Sequence, residues 1–140
     1  MNTEPTILVL DDDPGVLGML EVILTAAGYR VIATSDYEQA IRQINLSPPD
    51  VVLLDWMIPG YDGGELCRWL KANPNRDHVS VVMMSCDDRL RARVAEFGAD
   101  GYILKPFEVD YLLDTLRMAR RKRPSGGDQQ LPFAYVPCGA

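Results

Sequence analysis

Five times between residue 6 and about residue 121, a short β-rich apolar run gives way to a segment with helical spacing. Alternation at such short intervals permits few folds. Each strand-helix-strand unit closes right-handed, and the strands line up as a parallel sheet with helices on both faces. The first unit, "TILVLDDDPG", runs a strand over residues 7–10 into three acids. Asp13 can cap the helix that follows, and Pro14 suits its first turn, where a missing N–H costs nothing. Val16, Leu20, Ile23, Leu24 and Ala27 then recur at helical spacing, and Gly28 is placed to end the helix in a left-handed conformation. The second unit predicts a strand over 30–34, an S-x-x-E capping box from Ser35 to Glu38, and a short stripe of Ile41 and Ile44 before Pro48 and Pro49.

The third unit is "VVLLDWMIPGYDGG", residues 51–64, followed by a helix with Leu66, Trp69 and Leu70 that stops near residues 73–75. "HVSVVMMSCDD" supplies the fourth strand. Its helix carries Leu90, Val94 and Phe97 on one face and ends at Gly98. "DGYILKPFEVDYLLDTLRMARRKRP" gives the fifth strand and a helix with Val109, Leu112, Leu113, Leu116 and Ala119 inward. After that the pattern ends. Residues 124–140, with Pro124, Pro132 and Pro137 and several glycines, read as a flexible tail or linker, with Leu131, Phe133, Tyr135 and Val136 as contact points. The expected division is one domain over 1–123 and a tail over 124–140.

Bulk properties exclude several classes. A chain of 140 residues, 47% hydrophobic and 24% charged, is expected to hold one core. A net charge of −6 argues against coating nucleic acid or anionic lipid through the overall field. The basic "RMARRKRP" at 117–124 complements the dipole of the helix it ends, and no recognition helix follows, so direct nucleic-acid binding is not expected. Cys67, Cys86 and Cys138 are odd in number and contain no C-x-x-C, which suggests neither a disulfide framework nor a zinc site. With no signal-type segment and no membrane-length apolar run, a soluble cytoplasmic protein is expected. His78 stands at a strand start without a triad partner.

The third strand poses the chemical question. Its apolar run ends on Asp55, and an ionised carboxylate is costly to withdraw from water unless it is paired, metal-bound or at an edge that ligands reach. In an open parallel sheet, ligands bind outside the carboxyl ends of the strands. The residues leaving strands one, three, four and five there are Asp11 and Asp12, Asp55, Ser85, and Lys105. Three acids this close repel, and a hard divalent cation, best Mg²⁺, keeps them ionised while accepting a phosphate oxygen. Lys105 and Ser85 complete a cradle for a phosphoryl group on Asp55, which as a nucleophile forms an acyl phosphate.

The segments "ILVLDDDP", "VVLLDWMIPGYDG", "VVMMSC" and "GADGYILKPF", in this order, resemble the receiver domain of bacterial two-component response regulators over residues 6 to about 121. The resemblance implies the flavodoxin-like (βα)5 fold, a five-stranded parallel sheet in order 2-1-3-4-5. It further implies that Asp55 accepts a phosphoryl group from the phosphohistidine of a sensor kinase or phosphotransfer protein. Asp12 would bind Mg²⁺ directly, Asp11 largely through water, and the Met57 carbonyl would add a ligand. Ser85 would be the switch hydroxyl, Tyr102 the aromatic that follows it, and Lys105 the phosphate-binding cation, with Lys105-Pro106 cis. Phosphorylation would switch a surface on helix four, strand five and helix five toward a downstream effector. Such a chain phosphorylates and dephosphorylates itself and turns over no external substrate. A phosphatase or dehalogenase would usually want an acid where Met57 stands.

This sequence departs from the family at Cys86, where a very small residue is usual, and at Asp87, which adds negative charge near the pocket mouth. "GADG" at 98–101 also lacks a second acid common in the transcription-factor subclass, which loosens any borrowed dimer geometry. The alternative reading is a phosphorylation-independent docking or dimerisation module. It would usually lack an acid, the hydroxyl or the lysine, and all are present. The kinase, the output partner, a homodimer, and whether the chain is stand-alone or part of a longer regulator stay open.

Overall fold

The computed structural model describes residues 4–121. The expected tail, residues 124–140, lies outside them, as do Cys138 and the last basic residues of "RMARRKRP". Five parallel strands, β1 (Thr6–Leu10), β2 (Arg30–Thr34), β3 (Val51–Asp55), β4 (Ser80–Ser85) and β5 (Gly101–Leu104), form one sheet in order β2-β1-β3-β4-β5. The helices are α1 (Pro14–Ala26), α2 (Tyr37–Leu46), α3 (Gly63–Ala72), α4 (Leu90–Phe97) and α5 (Val109–Arg121). The flavodoxin-like α/β architecture with order 2-1-3-4-5 is therefore present.

Period-two alternation decides which helix covers which face. Ile7, Val9, Val51, Leu53, Val82, Met84 and Ile103 point to one side and meet Leu20 and Leu24 of α1 and Leu112, Leu116 and Ala119 of α5. Leu8, Leu10, Val52, Leu54, Val81, Met83 and Tyr102 point to the other and meet Ala40 and Ile44 of α2, Leu66 and Leu70 of α3, and Leu90, Val94 and Phe97 of α4. β3 is buried along its whole length because it sits in mid-sheet under helices on both sides. At about 1.5–3 kcal/mol for each large apolar side chain removed from water, these two clusters dominate the stability of the sheet.

Local signals held at most helix ends. Asp13 caps α1 through bonds from the N–H groups of Gly15 and Val16, Pro14 follows it, and Gly28 takes φ +100° just beyond the helix. Gly98 ends α4 at φ +80°. The second helix differs from expectation. Its cap is Asp36, whose Oδ1 accepts from Glu38 and Gln39, because the Thr34 hydroxyl accepts the Asp36 N–H and sets the entry one residue later than Ser35. Val109, expected inward, is 44% exposed at the first turn of α5, and Ala27 is exposed at the end of α1. A two-residue antiparallel pair, Met57–Ile58 with Tyr61–Asp62, was not legible as strand and fills the Pro-Gly turn after β3.

Candidate functional site

The strand order reverses at β1, which has β2 on one side and β3 on the other, so a crevice opens where β1 and β3 end. Asp11 leaves β1 and Asp55 closes β3 at that point. One carboxylate oxygen from each of Asp11, Asp12 and Asp55 lies within 4.8 Å of the others, a group able to hold a metal ion. Asp11 has no exposed surface, Asp55 is 7% exposed, and Asp12 is exposed. The donor set is all oxygen, partly buried and open on the Asp12 side, which fits a hard divalent cation that keeps some of its waters.

Lys105 brings the counter-charge. Its ammonium donates to Asp11 Oδ2 at 2.8 Å and to Asp55 Oδ2 at 3.3 Å, across 94 and 50 residues of sequence. It leaves β5 on a backbone tied to β4 by a bond from the Lys105 N–H to the Ser85 carbonyl at 2.9 Å, and the Lys105-Pro106 peptide is cis. The remaining oxygens of the two buried acids are also engaged: Asp11 Oδ1 accepts from the Asp13 N–H at 2.9 Å, and Asp55 Oδ1 from the Met57 N–H at 3.2 Å.

Electrostatics follow from this packing. Burial pushes the Asp55 carboxyl above its ordinary value; Lys105 opposes that and Asp11 adds to it. For Lys105, burial pulls downward, but the hydrogen bond to Asp11 and the charges of Asp55 and Asp11 outweigh it and hold the ammonium above its ordinary range. The lysine is charged at any physiological pH, and burial weighs most on the Asp55 carboxylate.

Ser85 ends β4, one residue past Met84, the register partner of Asp55, and is 2% exposed. Its hydroxyl accepts from the Asp87 N–H at 3.0 Å. Tyr102, on β5, is 4% exposed within the α2–α4 face. Asp87 stands two residues beyond Ser85. Its carboxylate is gripped by the Arg89 guanidinium and also accepts the Arg89 N–H; these bonds hold it down at about 2. Its negative charge is thus retained and paired with Arg89. Cys86 is exposed.

Three features escaped the sequence reading. Gly63 lets α3 start hard against the Asp55 backbone: a Cβ there would meet the Asp55 carbonyl, Leu54 Cδ1 at 2.8 Å and Trp56 Cα at 2.9 Å. The D-G-G spacing was its only signal. Trp56, 7% exposed, meets Phe97 at 6.0 Å, and Arg93 lies 5.7 Å from the Trp56 ring and 4.9 Å from that of Phe97. The short pair after β3 borders a cleft of about 510 Å³ lined by Trp56, Met57, Ile58, Pro59, Tyr61, Asp62 and Arg93. His78 is exposed next to the start of β4. Among the described residues no helix is long and apolar enough to cross a membrane.

Residues 7–117 match the model of the response regulator receiver domain. The chain is similar to the phosphate regulon transcriptional regulatory protein PhoB of Pseudomonas aeruginosa, 36% identical over 130 residues, which cover 91% of this chain and 56% of PhoB. It is equally similar to the transcriptional regulatory protein KdpE of Mycobacterium tuberculosis, 36% identical over 130 residues, with 90% and 55% covered. It thus spans about half the length of these curated relatives. Among solved structures, a putative response regulator from Chloroflexus aurantiacus aligns with a TM-score of 0.78 at 33% identity, covering 85% of this chain and 99% of that one. The signal receiver domain of a signal transduction histidine kinase from Syntrophus aciditrophicus aligns at 0.77 and 30%, covering 92% and 99%. A match over residues 7–117 of 140 assigns the chain to the response regulator receiver domain family, the phospho-acceptors of two-component signalling.

Proposed function

We propose that Asp55 is the phospho-acceptor and that phosphotransfer to it, dependent on Mg²⁺, switches a protein-interaction surface on α4, β5 and α5. The observation that carries this reading is the single ammonium of Lys105 shared between Asp11 and Asp55 at the carboxyl end of the sheet. Asp11, Asp12, Asp55 and the Met57 carbonyl would hold the ion. Bound there, Mg²⁺ would neutralise phosphoryl oxygens and let a dianionic donor approach three acids.

The rest is chemistry of the chain itself. A carboxylate oxygen of Asp55 attacks phosphorus, the bond from phosphorus to the donor's imidazole nitrogen breaks, and the imidazole leaves with a proton from solvent. Lys105 turns from its two carboxylates toward the new phosphoryl oxygens, and the Ser85 hydroxyl supplies a second donor. Ser85 then moves toward the phosphoryl group, Tyr102 takes the space vacated, and the α4–β5–α5 surface changes population. The donor is a sensor histidine kinase or phosphotransfer protein, and the output is a downstream effector, in the cytoplasm. Residues 1–123 act as the receiver unit and 124–140 as a linker.

The test is intact-mass spectrometry after incubation with acetyl phosphate, with and without Mg²⁺, beside Asp55→Asn. One added phosphoryl group that needs Mg²⁺ and is absent in the variant is the expected result. No addition from acetyl phosphate, phosphoramidate or a phosphorylated kinase would overturn the reading and leave a docking module.

A further inference from the structure

The short antiparallel pair that carries Met57 is clamped from outside by two aromatic rings. Tyr37, the first residue of α2, stacks on Tyr61, with centroids 4.0 Å apart and planes 9° from parallel. Tyr61 is the register partner of Ile58, the residue next to Met57. Ile58 is 6% exposed and anchors one strand in the core, whereas Tyr61 is 43% exposed, so the second strand is held at its surface by the stack.

The ends of the segment are tied to Asp55 and to the start of α3, where the Asp62 carboxylate accepts the Gly64 N–H at 2.8 Å. The Met57 N–H donates to Asp55 Oδ1 at 3.2 Å, and the Gly63 N–H donates to the Trp56 carbonyl at 2.9 Å. Between them Gly60 turns the chain at φ +86°. A loop with a left-handed glycine at its tip and two residues per strand has little stiffness of its own. Its neighbours fix its two ends. The stack fixes its middle and joins it to α2, an element that takes no other part in the site. Burial and the nearby Tyr61 and Glu65 push the Tyr37 hydroxyl above its ordinary value, so Tyr37 contributes as a neutral ring.

We propose that the Tyr37–Tyr61 stack is a positioning device for the cation site: by holding the pair that bears the Met57 carbonyl, it preorganises the ligand set completed by Asp11, Asp12 and Asp55. This rests on the reading that a divalent cation is held there. A loop that samples other conformations binds more weakly in proportion to the fraction that is competent. Stacked ring pairs have a strength that corresponds to roughly a three- to tenfold change in that fraction.

The test is calorimetric titration of the full chain with MgCl₂ for the wild type, Tyr37→Ala, Tyr61→Ala, the double Ala variant, and Tyr37→Phe and Tyr61→Phe. Each is measured well below its own melting temperature. Either Ala variant should raise the Mg²⁺ Kd by roughly three- to tenfold, and the double variant should be no weaker than a single one, since both remove one interaction. The Phe variants keep the rings and should match the wild type. Amide exchange at Met57 and Gly63 in metal-free protein should quicken in the Ala variants and stay unchanged in the Phe variants. Wild-type saturation with unchanged Kd in the Ala variants, additive losses in the double variant, or equal losses in the Phe variants would overturn the positioning role alone. No saturation of the wild type would overturn the cation reading and this inference together.

Discussion

Lys105 Nζ stands 2.8 Å from Asp11 Oδ2, and the Asp11 side chain has no exposed surface at all. The same ammonium reaches Asp55 at 3.3 Å, so one cation serves two buried acids while Asp12 contributes a third negative charge. Removing the lysine should therefore separate two properties that are usually lost together. In Lys105→Ala, phosphoryl uptake from acetyl phosphate should fall roughly 100- to 1000-fold, the loss typical of one charge-stabilising donor. Mg²⁺ should bind more tightly, by roughly three- to tenfold, because a like charge has left its site. Mass spectrometry reads the first and calorimetry the second. Weaker Mg²⁺ binding in the variant would contradict the charge assignment.

The raised carboxyl of Asp55 makes both stability and metal affinity depend on pH. Burial is its main cause, with Asp11 adding and Lys105 opposing. The folded chain then holds this proton more readily than the unfolded chain does. Asp55 favours the fold below the ordinary carboxylate value of 3.8, and that contribution is lost as pH rises through the raised folded value. A cation competes with the same proton, so the Mg²⁺ Kd should rise as pH falls toward the raised Asp55 value. In Asp55→Asn the metal-free melting temperature at neutral pH should rise, and the pH dependence of residual metal binding should shrink. A Mg²⁺ Kd that is flat with pH in the wild type would show that Asp55 is ionised throughout.

Two glycines should respond in opposite directions to the same added methyl group. At Gly18, within α1, an added Cβ would meet nothing within 4 Å, so Gly18→Ala should stabilise by about 0.5–1 kcal/mol through backbone entropy. Gly63 faces backbone atoms of Asp55 and Trp56 that cannot swing aside, so Gly63→Ala should cost about 1–3 kcal/mol. Urea denaturation measures both. A neutral Gly63→Ala would mean that α3 can shift from β3 without penalty.

The parts of this fold that were legible in sequence are those whose signal is local and repeated. Val51 to Leu54 announced a strand buried on both faces, and residues at strand ends could be brought together by topology alone: Asp11, Asp12, Asp55 and Lys105 do meet. Order 2-1-3-4-5 came from resemblance, since alternation cannot say which parallel strands are neighbours. The misses are competitions between near-equal local choices. Ser35 and Asp36 are both good caps, and the Thr34 hydroxyl, invisible as a partner in sequence, decided for Asp36. Val109 fits the apolar period of α5 but falls in its first turn, ahead of the core contacts made by Leu112 and Leu116. The Tyr37–Tyr61 stack joins residues 24 positions apart through packing of α2 beside the turn, which no periodicity reports.

Cys67 and Cys86 differ enough in environment to act as internal controls for each other. Cys67 lies buried on α3, where burial, with Asp100 adding and Lys71 and Arg68 opposing, pushes its thiol up to about 12. Cys86 is exposed and directly follows Ser85. Thiolates react and buried thiols do not. Iodoacetamide at about pH 8, followed by peptide mass mapping, should label Cys86 readily and Cys67 at least ~10³-fold more slowly, through unfolding. Cys86 also bears on uptake. Asp87 is ion-paired with Arg89, and Cys86 directly follows Ser85, so removal of its sulfur is the change that tests donor access. Cys86→Ala should take up a phosphoryl group from acetyl phosphate faster than the wild type, and alkylated Cys86 more slowly than either. Equal rates in all three would clear the residue of any part in donor access, and rapid labelling of Cys67 in native protein would mean that α3 opens independently of the rest of the fold.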